Sequence, residues 1–240
     1  MTVLAVSGTG TDVGKTIVTA AICALAAQRG SSVAVVKPAQ TGVADDEPGD
    51  LAEVARLCGP DAVLTLVEGA RYPDPLSPAA AARLSGRSSV DISRLATQVA
   101  ELAATHRLVV IEGAGGLLVR FDEEGATLAD LAAACGAEVL VVANAGLGTL
   151  NTTALTLEAL AHRGLALAGV VIGAWPADPD LASRSNVRDL EMLAARPLLG
   201  ALPEGAGSLA PSDFLAAAEG GLGPALGGRF EASKFRAAAL

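Results

Sequence analysis

Aromatic side chains are nearly missing from this 240-residue chain, at 2% of the sequence: one Trp, one Tyr and four Phe. A core must then be built from Ala, Leu and Val. These side chains are small enough for helices to approach a sheet closely, which suits a sheet covered on both faces. Cysteine is scarce too. Cys23, Cys58 and Cys135 are odd in number, lie at no metal-ligand spacing and each sit in an apolar stretch. They read as buried free thiols, and nothing demands an oxidising compartment. The two histidines, His106 and His162, stand beside Arg107 and Arg163 near predicted helix ends, where a cation complements the helix dipole. No Ser–His–Asp arrangement and no zinc spacing is visible. Positive charge is in deficit, 17 Lys and Arg against 26 Asp and Glu, for a net charge of −9. Nucleic acid and anionic membrane surfaces are poor partners for such a chain. Long hydrophobic runs are absent as well. Ile17 to Ala27 is too short to span a bilayer, and Leu131 to Leu150 is interrupted by Glu138, Asn144 and three glycines. The N-terminus lacks the basic stretch and uniformly apolar core of a secretion signal. These absences predict a cytoplasmic protein.

What is present is an alternation of short β-branched runs with longer Ala/Leu-rich segments. The pattern predicts strands over 2–7, 32–37, 107–112, 138–143, 167–172 and 198–202. It predicts helices over 14–29, 50–58, 91–105, 127–135, 149–163 and 184–195. Gly30 and Gly164 follow basic residues as helix stops. Strand–crossover–strand repetition, with strands apolar throughout rather than alternating, predicts an α/β fold in one domain over residues 1–240: a mostly parallel sheet with helices on both faces. Residues 38–49 and 68–78 read as loops rich in turn residues. The tail 220–240 is weakly specified, and 176–184 carries no signal. In such a sheet ligands sit beyond the carboxyl ends of the strands. Four segments therefore form one group: 8–16, 37–41, 112–116 and 144–151.

The first segment, with Ser7 before it, reads SGTGTDVGKT. It resembles the phosphate loop G-x-x-x-x-G-K-[ST], but its first glycine, Gly8, stands one residue too early. As a phosphate loop it would cradle phosphate on backbone N–H groups at a helix N-terminus, with Lys15 on the β- and γ-phosphates and the Thr16 hydroxyl on Mg²⁺. Two other readings compete. A dinucleotide loop, for an NADP-dependent oxidoreductase, wants an acid after the second strand, where Lys37 stands. A plain glycine-rich turn would leave Lys15 there by chance. Glu112 closes an apolar run ahead of Gly113-Ala114-Gly115-Gly116, in the manner of a Walker-B acid, although a solvated strand-end glutamate has the same pattern. Asp50 opens a predicted helix, where Asp is also an ordinary cap. Lys37, with Pro38 and Thr41-Gly42 behind it, would place a second cation facing the loop, useful where a phosphoryl group meets an anionic acceptor.

Five segments together resemble the dethiobiotin synthetase family, the ATP-dependent ligases of biotin synthesis. They are G-T-x-T-x-V-G-K-T at Gly8 to Thr16, K-P-x-x-[ST]-G at Lys37 to Gly42, E-G-A-G-G at Glu112 to Gly116, L-G-T-[LI]-N at Leu147 to Asn151, and P-L-L-G-x-[LI]-P at Pro197 to Pro203. The extra loop residue is that family's own pattern. The resemblance implies a single-domain P-loop NTPase-like fold. It implies carboxylation of 7,8-diaminopelargonate by CO₂, phosphorylation of the carbamate by a nucleoside triphosphate, and closure of the cyclic urea, with Mg²⁺ as the cofactor and ATP or another triphosphate as co-substrate. Lys37, Lys15 and Thr11 would be catalytic. Asp12, Val13, Gly14, Lys15, Thr16 and Ile17 would line the triphosphate, with Asp50 and Glu112 to Gly115 beside them. Gly173, Ala174, Pro203, Glu204 and Gly205 would lie near the base. Thr16, Asp50 and Glu112 would hold the metal. Thr41, Lys37, Gly116, Leu150 and Asn151 would meet the substrate, the last two from a neighbouring subunit of a homodimer. One position departs from the family: an Asn that reads adenine is common where this chain has Gly173, which leaves base preference open. Two further ligand-handling classes stay in view. A partition-type ATPase switch would carry a lysine at the position of Gly10. A related ligase that amidates a cobalamin precursor would carry a C-terminal glutaminase domain for which this chain has no room.

Overall fold

The computed structural model describes residues 2–239. Among them the strands are β1 (Thr2–Gly8), β2 (Val33–Thr41), β3 (Leu64–Tyr72), β4 (Leu108–Gly116), β5 (Glu138–Ala143), β6 (Leu167–Trp175) and β7 (Gly200–Pro203). They form one sheet in the order β3-β2-β4-β1-β5-β6-β7, with every recorded pairing parallel. The helices are α1 (Lys15–Gln28), α2 (Asp50–Cys58), α3 (Pro78–Ser85), α4 (Ile92–Thr105), α5 (Leu128–Ala134), α6 (Thr149–His162), α7 (Leu181–Ala194), α8 (Pro211–Gly221) and α9 (Ala232–Ala239).

Successive strand residues point to opposite faces, and here both faces are dry. Leu4, Val6 and Val110 join one apolar layer with Val18, Leu25, Leu57 and Phe214, under α1, α2 and α8. Ala5, Val109 and Ile111 join the other with Leu95, Leu128, Leu160 and Leu190, under α4 to α7. This is why the strands read as continuous apolar runs. β1, at the centre, pairs with β4 on one side and β5 on the other, so the loop leaving Gly8 opens where the chain order of the strands changes direction, the place where such sheets bind ligands.

Several expectations need correction. Residues 64–72, half of which fell in the expected loop 68–78, form β3, which pairs with β2 from Val33↔Leu64 to Thr41↔Tyr72. β3 lies at the sheet edge and is half exposed, with Leu66 38% exposed, so it lacks the buried-strand signature. β2 and β4 run on to Thr41 and Gly116, which puts Lys37 and Glu112 inside strands rather than at their ends. β6 likewise includes Gly173 and Ala174. Three helices were not expected. α3 and α8 begin with Pro78 and Pro211 at their first turn, where proline starts a helix instead of breaking it. α9 lies in the tail and packs Phe235 edge-on against Trp175, 4.8 Å between ring centroids, and 5.1 Å from Phe230.

The cysteines are free. Cys23 is buried, but Cys58 and Cys135 are only half-buried. Burial raises all three thiols and pushes Cys58 up to about 12, so they stay protonated and unreactive at neutral pH. His106 and His162 sit at the ends of α4 and α6, each with Nδ1 at 2.9 Å from a carbonyl oxygen one turn back, as expected of helix-end residues. Among the described residues no helix is long and apolar enough to cross a membrane.

Candidate active site

The loop after β1 is held at both ends. Thr9 N–H donates to Val142 O of β5 at 2.9 Å, and Val18 N–H donates to Gly14 O at 3.0 Å to close the first turn of α1. Between them the backbone is left-handed at Gly14, φ +92°, and at Asp12, φ +56°. Asp12 is a non-glycine residue in a costly region, the kind of local strain that clusters at ligand-binding loops. No side chain caps the N-terminus of α1, so its first N–H groups are left to a ligand. The early glycine has a steric reason. A Cβ at Gly8 would lie 2.6 Å from Gly10 O and 3.1 Å from Lys15 Nζ, and Lys15 Nζ itself donates to Gly10 O at 2.9 Å. The loop folds back on its first residue, and only glycine leaves it room.

Four side chains converge beside this loop from four different elements. Thr16, on α1, donates its hydroxyl to Glu112 Oε1 at 2.8 Å. Lys37 Nζ, on β2, lies 2.8 Å from the same oxygen, 2.5 Å from Asp50 Oδ2 on α2, and 3.2 Å from Gly113 O. Glu112 is fully buried and Lys37 nearly so, while the Asp50 side chain is one-third exposed. Burial alone would lower the Lys37 ammonium, but Glu112 and Asp50 outweigh it and hold it above the ordinary lysine range. Lys15 goes the other way: burial, then the neighbouring Lys37, lowers it. Glu112 Oε2 is buried with no hydrogen-bond partner. A carboxylate oxygen does not stay buried and unpaired without cost, so this one is available to a cation.

Thr16, Lys37 and Asp50 line a cleft of about 910 Å³, while Glu112 is fully buried and does not line it. Of the residues named from the sequence, Thr11, Asp12, Gly14, Lys15, Thr16, Ile17, Lys37, Thr41, Asp50, Ala114 and Gly115 line it. Thr11 Oγ1 would lie 3.6 Å from a Cβ at Gly115, so these two close one side. Val13 is buried behind the loop, and Gly116 pairs with Gly8 in the sheet. The stretch after β7 approaches α1, since a Cβ at Gly207 would sit 2.8 Å from Ile17 Cδ1, and Glu204 N–H donates to Trp175 O at 2.8 Å. Leu150 and Asn151, in the first turn of α6, are not part of the cleft wall.

Gly173 explains itself in this setting. A Cβ there would lie 1.9 Å from Val13 O, and one at Gly14 would lie 2.7 Å from Gly173 O. The phosphate loop rests directly on the β6 backbone, so no side chain fits at residue 173. Gln40, not singled out from the sequence, is buried at the cleft edge. An amide between Lys37 and Thr41, both named for the site, was the only signal for it.

The family described as "AAA domain" matches residues 2–212. An ATP-dependent dethiobiotin synthetase of Frankia casuarinae is 63% identical over 237 residues, 99% of this chain and 98% of that protein. Its counterpart in Streptomyces coelicolor is 56% identical over 235 residues, 98% of each chain. Among solved structures, a ParA family ATPase from Chlorobium tepidum covers 99% of this chain and 98% of its own at a TM-score of 0.56 and 13% identity. The cell division ATPase MinD of Pyrococcus furiosus covers 91% of this chain and 97% of its own at 0.54 and 22% identity. At these identities the structural matches speak for the P-loop fold alone.

Proposed function

The chain belongs to the AAA domain family and, within it, to the ATP-dependent dethiobiotin synthetases, and from that premise we propose how its own residues divide the work. As a member of that family it is a cyclo-ligase that consumes ATP. Its substrates are a vicinal diamine, 7,8-diaminopelargonate, with CO₂ and the nucleotide. One amine takes up CO₂ to give a carbamate. A carbamate oxygen attacks the γ-phosphorus, the bond to the nucleoside diphosphate breaks, and a carbamic–phosphoric anhydride forms. The second amine then attacks the anhydride carbon, phosphate leaves, and the cyclic urea closes. Two anions must meet in the middle step, so positioning and cationic charge do most of the catalysis.

One observation carries the assignment: Thr16, Glu112, Lys37 and Asp50 meet at the mouth of the phosphate loop, and one Glu112 oxygen is left without a partner. These oxygens suit a hard cation, and Thr16, Asp50 and Glu112 would hold Mg²⁺. When bound, the metal neutralises charge on the triphosphate. The backbone from Asp12 to Ile17 holds the phosphates with the help of Lys15. Lys37 binds the carbamate and stabilises the anhydride, and Thr11 and Thr41 orient the reacting ends. The partition-type switch and the oxidoreductase are not favoured, because the curated relatives share the synthetase name over nearly the full chain.

The base cannot be read by a side chain at residue 173, where a Cβ would strike Val13 O at 1.9 Å. Ala174 and the stretch Pro203 to Gly205 would lie near it. The missing contact is worth about one hydrogen bond. ATP and CTP are therefore expected to support turnover within about tenfold of each other, measured as kcat/KM under identical Mg²⁺.

Leu150 and Asn151 lie outside the cleft of their own chain. Leu147 and Leu155, on either side of them, are 93% and 59% exposed, apolar surface that a second copy would cover. This placement supports a homodimer in which the α6 N-terminus of each chain reaches the substrate of the other. The test is complementation. Asn151→Ala and Lys37→Ala subunits, each weak alone, should recover activity when mixed, because half of the sites in a mixed dimer then carry both native residues. No recovery in verified mixed dimers would count against the shared site.

A further inference from the structure

The helix that presents Asp50 starts without a cap of its own. Its N-cap residue is Gly49, which offers no side chain. The missing acceptor comes from another element. Gln40, on β2 and 4% exposed, accepts the Asp50 N–H on its Oε1 at 2.8 Å. Gly49 is what lets the amide in, since a Cβ there would lie 2.6 Å from Gln40 Oε1. The loop between them is gripped from the neighbouring strand. Arg71, the β3 register partner of Gln40, donates Nη1 to Ala44 O and Glu47 O, both at 2.8 Å, and is itself fixed by Glu68 at 2.7 and 2.8 Å. The Asp50 carboxylate ends up 2.5 Å from Lys37 Nζ.

We propose that Gln40 is a positioning residue for the reaction: by capping α2 from β2, it sets the Asp50 carboxylate against Lys37 and the cation site. The inference rests on Asp50 serving the cation as described above. The physics is that of a helix cap delivered in trans. Losing the acceptor leaves a partly buried N–H unpaired, and the first turn of α2 shifts to find a new partner, taking the carboxylate with it. An Arg71-held loop limits that shift without replacing the bond.

The test uses Mn²⁺ as the probe, with a non-hydrolysable ATP analogue on the full-length protein, and reads free Mn²⁺ by electron paramagnetic resonance. Gln40→Met keeps the volume and removes the acceptor; it should weaken Mn²⁺ binding by roughly fivefold, the fold-change of one lost cap. Gln40→Glu keeps the acceptor and should stay at least as tight as wild type. Gly49→Ala, which leaves β2 untouched, should weaken binding as Gln40→Met does. In an Asp50→Asn background, Gln40→Met should add nothing further. Wild-type binding in both Gln40→Met and Gly49→Ala, or an undiminished Gln40→Met effect in that background, would overturn the proposal while leaving the Asp50 reading intact. Unchanged binding in Asp50→Asn alone would instead remove the cation role of Asp50, and the role of Gln40 with it.

Discussion

Lys37→Ala is expected to lose turnover by about a thousandfold or more in a protein that still folds and still binds nucleotide. The ammonium is buried between Glu112 and Asp50, 2.8 and 2.5 Å away, and faces the cleft that holds the loop. Lys15, the other lysine lining the cleft, is turned onto Gly10 O at 2.9 Å and serves the phosphate loop. Alanine therefore leaves the carbamate and the anhydride without their counter-charge. It also leaves two carboxylates facing one another, one of them fully buried. Breaking a buried pair costs about 3 kcal/mol, so Tm should fall by roughly 10 °C in a domain of this size. A divalent cation should recover part of that loss, and more than it adds to wild type, because it replaces the missing positive charge. The variant would then bind metal well and turn over poorly. Assayed at low temperature with folding checked by circular dichroism, activity within tenfold of wild type would contradict the role given to Lys37.

Gly173→Ala is expected to weaken nucleotide binding by about a hundredfold, the scale of an ångström-sized displacement at a reacting centre. The added Cβ would lie 1.9 Å from Val13 O and 2.6 Å from Val142 Cγ1. Neither can yield cheaply: one is backbone of the phosphate loop and the other a packed core methyl. Either the loop lifts from β6 or the strand bows, and both spoil the cradle. Overpacking should also cost about 1–3 kcal/mol of stability. Gly220→Ala is the control. It lies inside α8 with open space around the added atom, and should be neutral or slightly stabilising. Titration with a fluorescent nucleotide separates the two; a Gly173→Ala protein that binds as wild type does would mean that the loop does not rest on β6.

The same contact shows what the sequence could and could not reveal. Strands buried on both faces announce themselves through runs such as Leu108 to Ile111, and helices through Ala/Leu-rich segments closed by Gly30 and Gly164. The central strands, the helices that cover them and the phosphate loop were therefore legible. β3 was not, because an edge strand has one exposed side and mixed polarity, and the prolines that follow it look like loop. Pro78 fell in the expected loop 68–78 and no element was expected around Pro211, yet both begin helices. Lys37 and Glu112 were recognised as site residues but placed at the ends of their strands. The pairing of β2 with β4 brings Lys37 to Glu112, and the start of α2 brings Asp50 to them. Gly173 looked like a missing side chain, and its reason lies in Val13, 160 residues earlier. Gln40 acts through a backbone N–H ten residues away, a relation that no residue pattern encodes.

The central claim is that this cleft couples triphosphate cleavage to a carboxylated diamine rather than to water. Phosphate release should be measured with Mg²⁺, ATP and bicarbonate, with and without 7,8-diaminopelargonate. The account predicts release that depends on the diamine, with one phosphate for each cyclic urea formed and isotope from labelled bicarbonate in the ureido carbon. Phosphate released at the same rate without the diamine, and no label in the product, would contradict it.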